Sequence, residues 1–581
     1  MALRLHHLLP LIIGTFFLFE LFYWNHDIEG LREAGNETLR VHPHSTKFPT
    51  ICQSLDRSPR ALWRSLPILE ASMQPLDVNQ THRPWVEPLL ELLTPYLGRG
   101  LVRSPAPRDT DRILSIVQAR LTDPKHNPPL QVAILGGSVP EGSGCERLPA
   151  EVHALVNRTT PLQGRDCAWP YRLQLLADRL IGPDVIEIHN LGVGGTGSSL
   201  ALPNLRYRLL GVTPDVVVNA FAVNDNLWNT DPNNTATYGH FSRSLKEVQD
   251  FVEAAVHSVP CRSPPVVVYL DDYFGNQNEA LLGEQVRNDA LRMAVDYLEL
   301  AYIRLPWAKL VHVNQAETLL SPQWMGRRGN RNVDGHYFMT GHVAVAWAMA
   351  YATLQVAVDH CWTGANEHDP RAPSFVPPRL DDKTAWKDLP KDWKEHARQL
   401  NETENSYCQS ASADVSPCPF AFVATPAGNT RTAKDLDKYL KGFITARSGG
   451  WKPINDRRNG WQNKIGLHTD KLYSYLTLKI PLIRNPVRFI TLHSLKSYGE
   501  LWDGSEARFE YQIYEDDGME ALVYNTSRVV QGFHNDTTSI AYPMELDLGD
   551  HAARIGQTVV VNMTLVSGPQ FKIISLLLCS R

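Results

Sequence analysis

The chain has 581 residues, of which 43% are hydrophobic and 20% charged, and its net charge at pH 7 is −5. This composition is that of a globular protein, and the length exceeds what one hydrophobic core normally covers, so we predict two or more domains. The negative charge and the lack of a dense Lys/Arg run exclude nucleic-acid partners.

Residues 1–28 predict an N-terminal signal anchor. Leu8–Trp24 is an apolar run of 17 residues that only Glu20 interrupts, and Arg4 precedes it. No small-residue cleavage site follows, which favours an uncleaved anchor over a cleaved signal peptide. With Arg4 on the short side, the rest of the chain would face the secretory lumen or the exterior, as in a single-pass type II membrane protein.

Cysteines and glycosylation sequons indicate the same compartment. The eight cysteines form an even set without CxxC pairs, which predicts up to four disulfides in an oxidising lumen. Cys145–Cys167 and Cys408–Cys418 are attractive pairs because each is close in sequence, although sequence does not fix the pairing. Eight N-x-S/T sequons are spread along the chain, at Asn36, Asn79, Asn157, Asn233, Asn401, Asn525, Asn535 and Asn562.

Residues 29–128 predict a stem followed by helices. Apolar residues recur at helical spacing in Trp85–Leu97 and Asp109–Leu121, with Asp109 or Thr110 as possible N-caps. We interpret these helices as bracing for the next domain.

Residues 129–361 alternate between apolar strands and helical patterns. Strands are expected at 130–136, 184–190, 215–222, 265–271 and 309–313, and helices at 170–181, 199–210, 238–257, 282–301 and 342–358. This alternation predicts a parallel sheet covered on both faces, as in a flavodoxin-like three-layer α/β/α sandwich with right-handed crossovers.

The last third of the chain changes character twice. Residues 362–420 are rich in proline and charge and predict a linker. Residues 421–581 predict a β-sandwich, with strands at Tyr473–Ile480, Val487–His493, Arg508–Tyr514, Val523–Val530, Ile540–Leu546, Thr558–Leu565 and Phe571–Leu578. Four aromatic residues could stack on sugars, but a core position is the favoured interpretation for Trp451, Trp461, Tyr475 and Trp502.

Four short motifs fall at predicted strand ends. They are Gly136-Gly-Ser138, Asn190-Leu-Gly-Val-Gly-Gly195, Ala222-Val-Asn224-Asp225 and Asp334-Gly-His336. The carboxyl ends of parallel strands share one sheet edge, where ligands bind in open α/β folds. Taken alone, Ser138 could equally be the N-cap of an ordinary strand-to-helix turn.

In order, these motifs present a serine, a glycine, an asparagine and a histidine, and the chain over residues 130–358 resembles the SGNH (GDSL-type) hydrolases. The resemblance implies a nucleophile at Ser138 and a general base at His336. It also implies an oxyanion hole made by the N–H groups of Ser138 and Gly195 and the side-chain amide of Asn224. His342 is an alternative base, but its place at a helix start suggests a structural role.

One departure from the family pattern affects the acid that, with Ser138 and His336, would complete a catalytic triad. The family has Asp-x-x-His, whereas the residue three before His336 is Val333 and the nearest acid is Asp334. Asp334 is the expected orienting acid. Asp271 or Asp272 could substitute for it, or a backbone carbonyl could orient the ring in a Ser–His dyad.

The expected function is therefore a serine esterase acting on acyl, preferentially O-acetyl, esters of glycans, without a cofactor or metal. Two alternatives stay open: a lumenal sugar O-acyltransferase with the same residues, and a catalytically inactive glycan-binding protein. Gly192–Gly197 matches a dinucleotide fingerprint, but it follows the second strand of the unit, and a lumenal location argues against a nicotinamide enzyme. No His/Asp/Glu cluster has metal-ligand spacing, and no motif supports a cysteine nucleophile. Oligomeric state is not predicted.

Overall fold

The computed structural model describes part of the chain. The described residues are 48–54, 101–143, 145, 167–194, 196–198, 201, 213–222, 225, 248–249, 251–252, 255, 265–272, 295, 300–304, 339–363, 418–424, 432–455, 465–482, 486–516, 518–534 and 539–579. The predicted anchor at 1–28, the helix at Trp85–Leu97, the strand at 309–313, and almost all of the predicted linker lie outside these residues.

The first half of the described chain is a mixed α/β region. Its helices are α1 (Pro49–Ser54), α2 (Pro107–Thr122), α3 (Ser138–Glu141), α4 (Trp169–Leu180) and α5 (Met339–Thr363). Its strands are β1 (Leu101–Arg103), β2 (Leu130–Gly136), β3 (Ile186–Asn190), β4 (Val216–Ala220), β5 (Val266–Asp271) and β6 (Ala301–Arg304). Four of the five predicted strands of this region are therefore confirmed within a few residues.

One sheet contains all six strands, in the order β1-β6-β5-β4-β2-β3. β2 to β6 run parallel, whereas β1 pairs with β6 antiparallel. β4 is wholly buried, as expected for a parallel strand covered on both faces. The predicted helix at 282–301 is wrong at its end, because Ala301 begins β6; the apolar run Ala301–Ile303 continues the preceding helical pattern without a turn residue.

Helix α2 begins earlier than its predicted caps. Its N-cap is Ala106, with Pro107 in the first turn, so Asp109 and Thr110 lie inside the helix. Proline suits a first turn because its ring fixes a helical φ and the missing N–H has no partner there anyway. The prediction of Asp109 or Thr110 as N-cap was therefore wrong.

Helix α5 is the core helix of this region. Gly341–Cys361 is long and apolar enough to cross a membrane by length and composition alone, but most of its apolar stretch is buried inside the fold. Val345 and Trp347 are fully buried in the same hydrophobic core as Ile134 of β2 and Trp169 of α4. Packing within the fold thus accounts for the apolar length of α5.

The edge of β3 is covered by a side chain. Gln174 on α4 donates from Nε2 to the carbonyl of Ile186 (2.8 Å) and accepts at Oε1 from the N–H of Ile188 (2.7 Å). The side-chain amide of Gln174 thereby forms the two hydrogen bonds that a further strand would form with the outward-facing backbone of β3. This arrangement removes a site for edge-to-edge association.

The second half of the described chain is antiparallel. Its elements are β7 (Phe420–Val423), α6 (Ala433–Leu440), β8 (Ile444–Arg447), β9 (Lys452–Asn455), β10 (Ile465–Thr469), β11 (Tyr475–Pro481), β12 (Phe489–Lys496), β13 (Glu506–Tyr514), β14 (Leu522–Gln531), β15 (Ile540–Asp547), β16 (Thr558–Ser567) and β17 (Phe571–Cys579). All seven strands predicted after residue 472 are present, and β7 to β10 and α6 are additional.

These strands form two sheets around one hydrophobic core. The first has the order β15-β12-β17-β10-β9, with β7 also pairing β17, and the second has the order β14-β13-β16-β11-β8. Strand β13 alternates buried and more exposed residues, with Phe509 and Tyr511 fully buried. Of the four aromatic residues considered for sugar stacking, Trp451 and Trp502 are buried, whereas Tyr475 is 47% exposed; Trp461 lies outside the described residues.

Three disulfides are present among the described residues. Cys145 pairs with Cys167, as its short separation favoured, and Cys52 pairs with Cys361, which joins α1 to α5. The suggested Cys408–Cys418 pair is wrong, because Cys418 pairs with Cys579. The reason is strand pairing: Phe420 of β7 lies opposite Leu578 of β17, which brings the two cysteines together.

Candidate active site

Ser138 lies where β2 ends and α3 begins. The N-cap of α3 is Gly137, so Ser138 is the first residue of this one-turn helix, and the interpretation of Ser138 as an N-cap is wrong. Its carbonyl accepts hydrogen bonds from the N–H groups of Gly142 (3.1 Å) and Ser143 (2.8 Å). Ser138 is therefore held by its backbone at the carboxyl edge of the sheet, with 9% of its surface exposed.

Gly136 allows β2 and β4 to approach closely at this edge. A Cβ atom at Gly136 would lie 2.5 Å from the carbonyl oxygen of Ala220, the last residue of β4, and would also collide with the ring of Pro140. Real Cβ atoms do not approach backbone this closely, so a larger residue would displace the start of α3. The glycine thus fixes where Ser138 stands.

Asn190, the last residue of β3, ties the next loop to α3. Its Nδ2 donates to the carbonyl of Pro140 (2.7 Å), and its Oδ1 accepts from the N–H of Gly192 (3.0 Å). The N–H of Val193 also donates to the carbonyl of Gly136 (2.9 Å). The loop that leads to Gly195 is thereby anchored on both sides of Ser138.

Asp225 ties the loops after β3 and β4 together. Its carboxylate accepts from the N–H of Ser198 (2.9 Å) and from Ser198 Oγ (2.5 Å). Asn219 of β4 also donates from Nδ2 to Ser198 Oγ (3.2 Å), and a Cβ at Gly197 would lie 2.6 Å from Asp225 Oδ1. Buried, charge-assisted hydrogen bonds of this kind fix geometry more firmly than neutral ones.

Four of the predicted site residues, Gly195, Asn224, Asp334 and His336, lie outside the described residues, and their roles stay predictions. Gly194, Thr196 and Asp225 border the first two along the chain and are described. The structure therefore brings together Ser138 and the loops on which two oxyanion-hole candidates are carried.

The two alternative acids lie at the end of β5. Asp271 is buried, and its Oδ2 accepts from the hydroxyl of Tyr302 on β6 (3.1 Å). Asp272 is fully buried. Strand β4 separates β5 from β2, a distance of roughly 10 Å across the sheet at the usual strand spacing. Either carboxylate would have to reach the site from two strands away.

His342, the alternative base, supports a helix start. It is fully buried, and its Nδ1 accepts from the N–H of Trp169, the first residue of α4 (3.3 Å). The ring nitrogen thus satisfies one of the backbone donors that a helix leaves unpaired at its N-terminus. This contact agrees with the structural role suggested for His342.

Two groups of the described α/β sheet have shifted pKa values. Burial raises the pKa of Asp215, which precedes β4 and accepts from the N–H of Gln131 (2.9 Å). Burial also lowers the pKa of His189, whose Nε2 lies 2.6 Å from Gln131 Oε1. Gln131 is the second residue of β2, so Asp215 lies near the amino ends of the parallel strands, whereas Ser138 lies at their carboxyl ends.

Across the described part of the chain, no three His, Cys, Asp or Glu side chains could together hold a metal ion.

Sequence reasoning missed the positioning roles of two residues. Asn190 and Asp225 stand inside motifs that the sequence analysis singled out, yet no function was predicted for their side chains. Asn190 alone carried a local signal, because an Asn at a strand end beside small residues can bond neighbouring backbone, as its Oδ1 does with the N–H of Gly192. Asp225 lies beyond the end of β4 and bonds Ser198 in another loop, so no local signal marked it.

Comparison with known proteins gives distant likenesses. No family model and no curated protein matches the chain. A two-domain esterase active on acetylated mannans is 14% identical, with 84% of this chain and 98% of that one covered and a TM-score of 0.42. The esterase EstA from Pseudoalteromonas sp. is 12% identical over 38% of this chain and 96% of its own, with a TM-score of 0.27. TmCBM61 in complex with β-1,4-galactotriose is 10% identical over 23% of this chain and 86% of its own, with a TM-score of 0.16.

Proposed function

We propose that the chain is a serine esterase of the SGNH type that removes acyl groups, preferentially O-acetyl groups, from glycans. One observation carries the proposal: Ser138 begins a helix at the carboxyl edge of a parallel sheet, and Asn190 and Asp225 lock the loops after β3 and β4 around it. The parallel strands, counted in chain order, are arranged 2-1-3-4-5, which is the flavodoxin-like order. Ligands of such sheets bind beyond the carboxyl ends of the strands.

The proposed reaction has two steps. His336 takes the proton of Ser138 Oγ, and the oxygen attacks the ester carbonyl to form a tetrahedral oxyanion. The N–H groups of Ser138 and Gly195 and the amide of Asn224 stabilise that charge. The intermediate then collapses, the bond to the sugar oxygen breaks, and that oxygen takes the proton from His336. Water gives a proton to the same base and attacks the acyl carbon; the bond to Ser138 Oγ then breaks, Oγ regains the proton from His336, and the carboxylic acid leaves.

Asp334 is the proposed partner that orients His336. An acid two residues before the histidine departs from the SGNH pattern, so Asp271 and Asp272 are the alternatives to exclude. If Asp334 acts in this way, Asp334→Asn lowers kcat strongly, because the wrong histidine tautomer is then favoured. Asp271→Asn would leave kcat within a few-fold of the wild type, since its carboxylate is already bound by Tyr302.

We propose a type II membrane topology with the catalytic part in the secretory lumen or outside the cell. Three disulfides support an oxidising compartment. Two sequon asparagines also occupy the outward positions of the second sandwich sheet: Asn562 lies opposite Glu510, and Asn525 opposite Gln512. Treatment of the full chain, purified from cell membranes, with a peptide-N-glycosidase should increase its gel mobility, and Asn525→Gln with Asn562→Gln should remove part of that shift.

The test of the esterase is hydrolysis of p-nitrophenyl acetate and of an acetylated polysaccharide by the full chain. Ser138→Ala should lower kcat by about 10⁴-fold or more, as removal of a serine nucleophile does in hydrolases with the same chemistry. Ser115→Ala, which removes an exposed hydroxyl on α2, is the matched control and should keep full activity. Turnover retained in Ser138→Ala would contradict the proposal.

Two further outcomes separate the alternatives. If the wild type turns over neither ester but binds glycans, the chain is an inactive glycan-binding protein. If an acyl donor supplied with an oligosaccharide gives acylated sugar in preference to free acid, the chain is an acyltransferase.

A further inference from the structure

Three large apolar side chains are exposed where β10 turns into β11, two in the turn and one at the first residue of β11. Leu472 is 48% exposed, Tyr473 71% and Tyr475 47%. Tyr473 is the most exposed large hydrophobic residue of the described chain. Three exposed apolar side chains thus fall within four consecutive residues. Apolar patches at a protein surface can mark a binding site.

The backbone of Tyr473 is left-handed. Its φ is +62°, a conformation that glycine adopts freely but that a bulky side chain disfavours. Strained residues of this kind persist only where the surrounding structure fixes them, and they cluster at ligand sites. The turn therefore keeps an aromatic ring where glycine would be the less strained residue.

Contacts beneath the turn hold it in this shape. The N–H of Tyr473 donates to the carbonyl of Leu565 on β16 (2.8 Å). The buried indole of Trp451 donates from Nε1 to the carbonyl of Ser474 (3.1 Å), and Ser474 Oγ lies 2.5 Å from Thr469 Oγ1. The rings above this network are thus presented on a rigid base, which reduces the entropy lost on binding.

The surroundings of the rings are polar and of mixed charge. Asp470, in the same turn, forms an ion pair with Lys452 on β9 (3.8 Å), and both side chains are about half exposed. Lys471 lies between Asp470 and the apolar residues in sequence. A sugar ring has a matching character, with an apolar C–H face and hydroxyl groups around its rim.

We propose that Leu472, Tyr473 and Tyr475 form a carbohydrate-binding platform, the Tyr473 platform, for a neutral polysaccharide. The choice of an esterified glycan as the natural ligand rests on the proposed function, but binding itself does not. The platform would hold a polymer near the enzyme between successive cleavages, and so would lower the KM for polymeric substrate without changing the turnover of a small ester.

The test is affinity electrophoresis of the full chain through gels that contain mannan, xylan or galactan, each acetylated or deacetylated. The chain carries Ser138→Ala, so that the result does not depend on catalysis, and its N-glycans are removed first. The deglycosylation matters because Asn562 lies opposite Thr477, two residues along β11 from Tyr475. The wild-type surface should be retarded by at least one polysaccharide.

Tyr473→Gly is the decisive variant. It deletes the ring and also relieves the left-handed strain, so the Tm should stay equal or rise while binding weakens about tenfold, which is about 1.4 kcal/mol. Tyr475→Ala should weaken binding as well. Leu522→Ala is the control. It removes an exposed apolar side chain opposite Tyr514, where β13 ends and β14 begins, and this variant should bind polysaccharide like the parent chain.

Three results would overturn the platform. These are no retardation by any polysaccharide, unchanged binding in Tyr473→Gly, and an equal loss in Leu522→Ala. Concentration-dependent self-association that Tyr473→Gly abolishes would also overturn it, because the platform would then be a contact between two copies of the chain. If binding is lost in Tyr473→Gly while esterase activity on p-nitrophenyl acetate is never found, the platform stands and the esterase assignment fails.

Discussion

The α/β region and the β-sandwich each bury a serine that could be taken for a nucleophile, but they place these serines differently. In the sandwich, Ser575 Oγ lies 2.5 Å from His493 Nδ1 across β17 and β12, and both residues are fully buried in mid-strand. In the α/β region, Ser138 stands at a strand end, where β2 gives way to α3 and where loops from β3 and β4 converge.

The difference teaches that a Ser–His contact does not by itself make a nucleophile. Ser575 and His493 are flanked in their sheet by Val423 of β7 and Pro543 of β15, so no substrate can approach along the ladder. A strand end in a parallel sheet leaves room for a ligand and for backbone donors from neighbouring loops. Topology, more than the identity of the pair, selects Ser138 as the candidate nucleophile.

Each region also contains a disulfide that joins residues far apart in sequence, and removing such a disulfide should give the largest effect on stability. Cys52–Cys361 spans 309 residues and ties α1 to the end of α5, whereas Cys418–Cys579 spans 161 residues and ties β7 to β17. Replacing both cysteines of either pair by serine should cost about 2–5 kcal/mol, because the unfolded chain regains freedom. The measurement is thermal unfolding by circular dichroism.

The two disulfide variants also test whether the regions are separate folding units. If they are, each variant should lower the Tm of one transition and leave the other in place. A common shift of both transitions in both variants would show that the regions unfold together. The Cys145→Ser/Cys167→Ser variant, which opens a separation of only 22 residues, should cost less than either.

Asp225→Asn should give the next largest effect. The amide keeps the size of the carboxylate but loses the charge and one acceptor, so Ser198 and the loops after β3 and β4 are held less firmly. A misplacement of about 1 Å in a catalytic group can cost about 10²-fold. We expect kcat/KM for p-nitrophenyl acetate to fall about 10²-fold, with a smaller effect on KM than on kcat.

Asp215→Asn is the matched control for Asp225. Asp215 also accepts from a backbone N–H, that of Gln131, but at the opposite edge of the same sheet. The variant should change the Tm and leave kcat/KM within about twofold. Equal losses of activity in the two variants would mean that Asp225 acts on stability alone.

Ser575→Ala should have a smaller effect, and only on stability. Loss of the hydroxyl leaves His493 Nδ1 without this contact in a fully buried position, which costs about 1–3 kcal/mol. Esterase activity should stay within about twofold of the wild type. A loss of turnover comparable to that of Ser138→Ala would reverse the comparison between the two regions.

How far the sequence predicts the structure differs along the chain. The strands β2 to β5 and β11 to β17 are visible as apolar runs or alternation between turn residues, and their prediction is confirmed. Strand β6 was not predicted because Ala301–Ile303 continues an apolar helical pattern with no turn residue between the two. The pairing of Cys418 was also not readable, since it depends on β7 lying beside β17, a contact between residues far apart in sequence.

The candidate site shows the same division between local and distant information. Ser138 and its glycines form a local pattern, so their place at a strand end could be predicted. The roles of Asn190 and Asp225 depend on contacts with Pro140 and Ser198 in other loops, which no local pattern contains. The left-handed backbone of Tyr473 was not predicted either, because the contacts around it come from other elements: Leu565 accepts from its N–H, and Trp451 donates to the carbonyl of Ser474.

The smallest expected effect is on the pH dependence of stability, and it again separates the regions. Burial lowers the pKa of His189 in the α/β sheet and of His468 in the sandwich below the ordinary value of about 6.5. The unfolded chain therefore binds protons at these positions before the folded chain does. The free energy of unfolding should fall as the pH is lowered from 7 through 6.5, by at most about 1.4 kcal/mol per pH unit for each histidine.

His189→Gln should flatten this dependence for the α/β transition, and His468→Gln for the sandwich transition, in thermal melts between pH 5 and 7.5. An unchanged slope in both variants would show that acid sensitivity arises from other groups, whereas flattening of both transitions by one variant would show that the regions are coupled.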